Sequence, residues 1–532
     1  MLKINPSQTE FVDFYLPFSG KVDASNRWVK PAKAMLWEEV ERCYAEGFAG
    51  IGMGAPAKSG RIAFGALVIK EQLGISDEET VEQILENPYL KYFLGLKEFS
   101  QPALFDPSMM VHFRNRFSED HHRRINEKVI AMASKSEAEP KPEAEPTSDP
   151  SDQEPPKNSG KLLVDATCTP ADIAYPTDLN LLKQAREKTE QIIDCFHDQL
   201  KQRMEQAPKK QRTYRNKARK DLALAKQKSS SKKKLRKAIS MQLRYLKRNL
   251  GHIKTMIENH KGLLCALMDY HYRSLLVINT LYDQQHEMYT KDTHTVKDRI
   301  VSIGQPHVRL IVRGKADNKV EFEAKVSVSS QKEGYMSLDK LSCNAHNEGS
   351  NLVDQIESYH RRFGYYSGSV HADQIHRTRE NRGYRKEKGI RLSSKPLDRP
   401  KKPTQANLEE LKAKKAQRYQ DELDRILIEG KFGNVKRKGS LGRVMTKLRQ
   451  TSESVIHVGI LVLNLQTWLR KSLLYLCFAA LELLESLLDQ FNKLKNGCVD
   501  SKYRVLTDSE TSTQNRLVGQ LKIFSGNSIY LK

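Results

Sequence analysis

Asp165 closes the short apolar run KLLVDAT, which has the signature of a buried strand, and Asp373 closes SGSVHADQI, which reads as another. Glu429 falls in a stretch with helical spacing. Carboxylates at the ends of two adjacent strands, joined by a third on a flanking helix, would hold a pair of divalent ions about 3.5–4 Å apart. Such a pair deprotonates a nucleophile and neutralises the leaving oxygen, which is the chemistry of phosphodiester transfer to water or to a 3′-hydroxyl. Mg²⁺ prefers hard oxygen ligands and keeps several waters, so a few carboxylates suffice. They must stand on rigid elements, because misplacement by an ångström is costly. Position alone does not select these three from 65 acidic residues. A strand-end Asp is more often a turn or cap residue, and a helical Glu is more often solvated.

The elements that would position them can be read from pattern. Strand signals recur at 308–313 (VRLIVR), at 319–328 (KVEFEAKVSV), where Val320, Phe322, Ala324 and Val326 alternate onto one face, and at 337–343. Further strands are expected over 367–375 and 389–393. Helices are expected from about Ser350 to Phe363, from about Glu409 past Leu427, and over 452–495. Residues 179–300 read as largely helical, and 209–248 within them carry seventeen Lys or Arg against one acid, Asp221. That segment suits a DNA-backbone-binding arm, although a charge run is more often a solvated helical hairpin.

Residues 1–133 read as a helical unit. RIAFGALVIKEQLG ends at a Gly, Ser76 and Glu79 form a capping box, and Asp106-Pro107 opens a further helix with Met110, Phe113 and Phe117 on one side. Such a unit is either a helix-turn-helix-like DNA reader or a plain packing domain. Residues 134–160 hold six prolines and seven acids, with no aromatic and no aliphatic side chain larger than Ala. They read as a disordered linker.

The 532 residues allow two or three domains, and 89 basic against 65 acidic residues give +24, which implies a polyanionic partner. The apolar runs Ile456–Leu469 and Ser472–Leu481 are broken by Arg470 and Lys471 and are too short to span a bilayer. The N-terminus has no charged-then-apolar signal pattern. Seven scattered cysteines without a CxxC pair argue against a zinc site or a disulfide framework, and fit a reducing cytoplasm.

Several long, ordered stretches resemble the DDE transposases of bacterial insertion sequences, in the branch called insertion-sequence four/five. They are LLVDATCTPADIAYPTDLNLL (162–182), DRIVSIGQPHVRLIVRGKA (298–316), VHADQIHRTRENRGYRKEKGIRL (370–392) and IEGKFGNVKRKGSLGRV (428–444). The N-terminal stretches 62–96 and 105–117 are similar to the family's N-terminal domain. The resemblance implies Asp165, Asp373 and Glu429 as metal-binding catalytic acids, with Arg425 and Lys436 as the Arg and Lys of the signature around the last acid. Glu422 stands where that signature has Tyr, and Asp398 where Gly is expected.

The resemblance further implies a mixed α+β, ribonuclease-H-like core over 161–466, carrying a basic helical insertion at about 179–300 and preceded by the helical N-terminal domain. Residues 467–532 form a helical, then poorly defined, tail that matches nothing in the family pattern. The implied cofactor is Mg²⁺ or Mn²⁺, as two ions. The implied partners are double-stranded DNA, as terminal inverted repeats and target, and a second copy of the chain on that DNA. Location would be cytoplasmic, on the nucleoid. The implied reaction is cleavage and strand transfer without a covalent protein–DNA intermediate. The alternatives are a transposase-derived DNA-binding protein without a working site, or an RNA-binding or scaffold protein, which would explain the charge but not the acids.

Overall fold

The computed structural model describes residues 22–48, 56–97, 99, 104–137, 158–206, 208–225, 231–312, 320–331, 334–344, 347–393 and 407–497. It divides into two compact units, Met1–Leu469 and Arg470–Lys532. Among the described residues no helix is long and apolar enough to cross a membrane.

The first unit begins with α1 (Val29–Ala34), α2 (Trp37–Glu46), α3 (Gly60–Leu73), α4 (Asp77–Glu86), α5 (Pro88–Phe93), α6 (Met109–Arg116) and α7 (Glu119–Glu137). The α3 helix starts where the Ser59 hydroxyl accepts from the Ile62 N–H, and stops at Gly74, whose φ of 67° only Gly adopts at no steric cost. It is buried on every side, as its near-continuous apolar sequence dictates. Arg61 is tolerated there because its Nε donates to the Phe93 carbonyl at 3.0 Å and its Nη2 to the Tyr92 carbonyl at 3.2 Å. The expected capping box holds, with the Ser76 hydroxyl accepting from the Glu79 N–H, and Met110, Phe113 and Phe117 are all buried.

The expected boundary at 133 is not where the helix ends. Residues 134–137 continue α7, which is anchored just before them by Ile130 and Ala133 packing on Tyr335. The rest of the expected linker, 138–157, lies outside the described residues, as do Asp398 and the tail from 498.

The sheet comprises β1 (Lys161–Pro170), β2 (Arg309–Val312), β3 (Val320–Gln331), β4 (Met336–Ser342), β5 (Ser369–His371) and β6 (Arg391–Leu392). Its order is β2-β3-β1-β5-β6, with β4 also paired to β3. β3 runs antiparallel to β1, β2 and β4, whereas β5 and β6 run parallel to β1. Between β1 and β2 stand α8 (Asp178–Arg203), α9 (Arg215–Ala225), α10 (Lys232–Asn259) and α11 (Asp269–Lys291), packed through Leu181, Leu182, Leu246, Ile278 and Leu281. The crossovers on the parallel side are α12 (Leu352–Phe363) and α13 (Arg379–Glu387), and the chain closes with α14 (Leu408–Lys438) and α15 (Arg449–Gly497).

Alternation along β1 builds two cores. Leu162 and Val164 meet Leu352, Ile356 and Tyr359 of α12, while Leu163 meets Ile428, Phe432 and Val435 of α14 and Ile456 and Ile460 of α15. The next face of α15 (Val458, Leu461, Val462, Leu465) enters the core of the N-terminal helices. A buried polar join reinforces this: Asn464 Nδ2 donates to Asn126 Oδ1 at 2.8 Å and to the Met336 carbonyl at 2.7 Å, linking α15, α7 and β4.

Candidate active site

Parallel pairing sets the first geometry. Lys161, Leu162 and Leu163 of β1 lie opposite Ser369, Val370 and His371 of β5, so Asp165 and Asp373 each stand two residues beyond the last paired position. Neither acid sits quite where the pattern suggested. β1 continues past Asp165 to Pro170, because the long β3 strand pairs with it that far, so Asp165 is mid-strand and faces Val328. β5 covers only three of the nine residues expected of it, because the chain turns at Asp373, whose carbonyl accepts from the His376 N–H at 3.1 Å.

α14 supplies the rest. It is continuous through Gly430 and Gly433, since Ile428, Phe432 and Val435 bury its inner face. Arg425, Glu429 and Lys436 therefore project within about 60° of one another around the axis. The Arg425 guanidinium is ion-paired to the Asp373 carboxylate. Glu429 is exposed and Lys436 half-buried.

Burial pushes the Asp165 carboxyl up to about 6; the Ala166 N–H and Arg425 oppose that shift, and the Asp373 and Glu429 charges add to it. Four of the five expected residues thus share one electrostatic field, while Lys436 stands two helical turns beyond Glu429. Oxygen donors of this kind suit Mg²⁺ or Mn²⁺, but among the described residues the carboxylates of Asp165, Asp373 and Glu429 do not gather within 4.8 Å of one another, and Arg425 supplies positive charge beside Asp373.

The tightest group of potential ligands among the described residues was not expected from sequence. Donor atoms of His371, Asp421 and Asp424 all lie within 4.8 Å of one another. Its environment reads as a clamp. Arg391 forks onto Asp421 at 2.7 and 2.8 Å, Lys161 pairs with Asp424, and Ser369 Oγ lies 2.9 Å from His371 Nε2. Lys161, Ser369 and Arg391 are register partners across the three parallel strands. Two acids one turn apart on α14 are thus neutralised by two cations from the sheet, and the His371 imidazole is held towards its neutral form by burial. The clamp fixes the rotation of α14 and hence the aim of Arg425 and Glu429. The sequence signals were the inward alternation of His371 with Asp373 and the i, i+3 spacing of the two acids.

A cavity of about 220 Å³ opens beside Asp373 and Arg425, lined also by Arg418, Asp421 and Glu422. Glu422, at the expected Tyr position, is exposed on its rim.

Residues 370–466 match the family model described as Transposase DDE domain, and residues 17–116 match that described as Transposase domain (DUF772). Both matches are to transposase domains, and they support the resemblance of this chain to the insertion-sequence DDE transposases. A Rhizobium meliloti protein described as uncharacterized protein ORF8 in the nfe locus is 31% identical over 134 residues, which cover 25% of this chain and 57% of that protein. The chain spans little more than half the length of that relative. No solved structure matches it. The DDE-domain match contains Asp373, Arg425, Glu429 and Lys436, while Asp165 and the helical insertion lie outside both matched segments.

The raised Asp165 carboxyl has a consequence for the metal-free protein. Between the ordinary Asp value of 3.8 and about 6, the folded protein binds the proton more tightly than the unfolded chain. Asp165 therefore removes stability as pH rises through that window, and the loss is complete above it. Asp165→Asn should stabilise the metal-free protein at pH 7 by about 1–3 kcal/mol, and by little at pH 4. Urea unfolding at the two pH values, with chelator present, checks this; equal gains at both would refute the cause given.

Proposed function

We propose that this transposase cuts and rejoins DNA at the ends of its own element, with Asp165, Asp373 and Glu429 holding divalent ions. The observation that supports the reading is Arg425, ion-paired to Asp373 and acting, together with the Asp373 and Glu429 charges, on the buried Asp165 carboxyl. The ions, when bound, would lower the pKa of an attacking water or 3′-hydroxyl and neutralise the leaving oxygen. The strand order and directions, with the third acid on a helix after the last strand, support a ribonuclease-H-like catalytic core interrupted after its first strand by the insertion. Within that core, Asp165 is held by its pairing to β3, and Arg425 would meet a scissile phosphate brought to the acids. Double-stranded DNA is the partner that the basic excess supports, with the N-terminal helices and the insertion contributing contacts.

Lys436 shares the Glu429 face of α14, so a phosphate at the acids would lie within its reach. Lys436→Ala should lower cleavage by about tenfold, equivalent to roughly 1.4 kcal/mol, with the fold intact. An ordinary helix-surface lysine would leave the rate unchanged. The assay is Mg²⁺-dependent nicking of a supercoiled plasmid carrying the element with its flanks. Tight binding without any nicking in Mg²⁺ or Mn²⁺ would favour a transposase-derived DNA-binding protein instead.

A further inference from the structure

We propose that Arg425 is an internal counter-cation that DNA must draw away from Asp373 before the acids take up metal, so that DNA binding and metal binding are coupled through this one side chain. The inference rests on the catalytic reading above.

Four observations carry it. Arg425 Nη2 is paired directly to Asp373 Oδ1, so a carboxylate oxygen that a metal would need is already engaged by a cation. The same guanidinium charge acts on Asp165, which makes it the common counter-cation of both strand acids. Its Nε is buried and has no hydrogen-bond partner, so the fork is only half used where it stands. The cavity of about 220 Å³ beside the pair gives the side chain somewhere to go.

Charge counting gives the direction. Three carboxylates with one Arg carry −2, which leaves the metal-free site tolerable. Two divalent ions added to three carboxylates carry +1, and a guanidinium left among them is repelled. A DNA phosphate offers two oxygens in the geometry that satisfies Nε and Nη together, which the single contact to Asp373 does not. DNA therefore removes a competitor of the metal, and by linkage the metal releases Arg425 to the DNA. The result is a site that loads best once substrate is present.

The test is titration calorimetry of Mn²⁺ into the full-length protein, with and without a mixed-sequence DNA duplex. Asp165→Ala defines which heat belongs to this site. Without DNA, Arg425→Gln should bind Mn²⁺ about tenfold more tightly than wild type, and duplex should raise the wild-type affinity by a larger factor than the variant's. Arg425→Met, which keeps the apolar stem, gives the same reading should the Gln variant fold poorly. Arg418→Gln removes a different cation lining the same cavity and should change little. Equal DNA-free affinities for wild type and both Arg425 variants would overturn the coupling and leave the catalytic reading standing. An Arg418→Gln gain as large as that of Arg425→Gln would also overturn it, since a diffuse field would then suffice. Absence of any Mn²⁺ binding that Asp165→Ala removes would overturn both.

Discussion

Asp165→Ala, Asp373→Ala and Glu429→Ala should each reduce strand cleavage at least about a thousandfold, which corresponds to some 4 kcal/mol of lost transition-state stabilisation, while DNA affinity measured without divalent ions falls by no more than about twofold. The three carboxylates contribute nothing positive for DNA to hold, whereas a nucleophile and a leaving group both depend on ions those carboxylates would bind. The fold has little reason to object. Glu429 is exposed, and Asp373 is half-exposed at a turn beyond the end of β5. Asp165 is the most buried, but it is a carboxylate in an unfavourable place, so its loss relieves rather than adds strain. Plasmid nicking in Mg²⁺, paired with a binding titration on the same preparations, reads both quantities. Near-wild-type cleavage by any one of the three variants would remove that residue from the metal site. A parallel loss of binding and cleavage would point to misfolding, which circular dichroism would reveal.

Much of this site was legible because strands and helices leave periodic traces, and what was missed lies where partners decide. The apolar runs before Asp165 and Asp373 marked the two strands, but the end of β1 is set by how far β3 accompanies it, which no local pattern in KLLVDAT records. Gly430 and Gly433 disfavour the helix that carries Arg425, Glu429 and Lys436, and Phe432 and Val435, buried in the core below the sheet, hold it through both. The clamp of His371, Asp421 and Asp424 is not legible in the sequence, because its sense comes from Lys161 and Arg391, which lie 230 residues apart in sequence and on either side of β5 in space. The linker boundary expected after 133 falls inside α7 for a like reason, since the apolar contacts that anchor its last turns, Ile130 and Ala133 on Tyr335, come from a residue beyond the acidic stretch.

Replacing Lys217, Lys220, Lys234, Lys237 and Lys247 together by Gln should lower the log–log salt slope of DNA binding by about 4 to 5 and weaken binding on the order of a thousandfold at moderate salt, if each touches a phosphate. Their position on the insertion motivates this. The α9–α10 pair buries Ala218, Leu222, Ala238, Leu243 and Leu246, and turns these five lysines outward, where among the described residues none forms an ion pair. Other cations of the segment are already engaged: Lys210 and Arg215 on Asp194, Arg236 on Asp292, and Arg248 over the rings of Tyr214 and Tyr245 at 4.4 and 5.3 Å. The one acid of the segment, Asp221, accepts from the Tyr245 hydroxyl at 2.7 Å. The outward lysines thus face solvent uncompensated, which repels neighbouring cations and is relieved when a polyanion releases its own counterions onto the solution. Because all five are exposed, thermal unfolding should move by less than about 0.5 kcal/mol, which separates a binding effect from a folding one. A solvated hairpin with no role in binding predicts an unchanged slope, and a measured slope within error of wild type would decide for it.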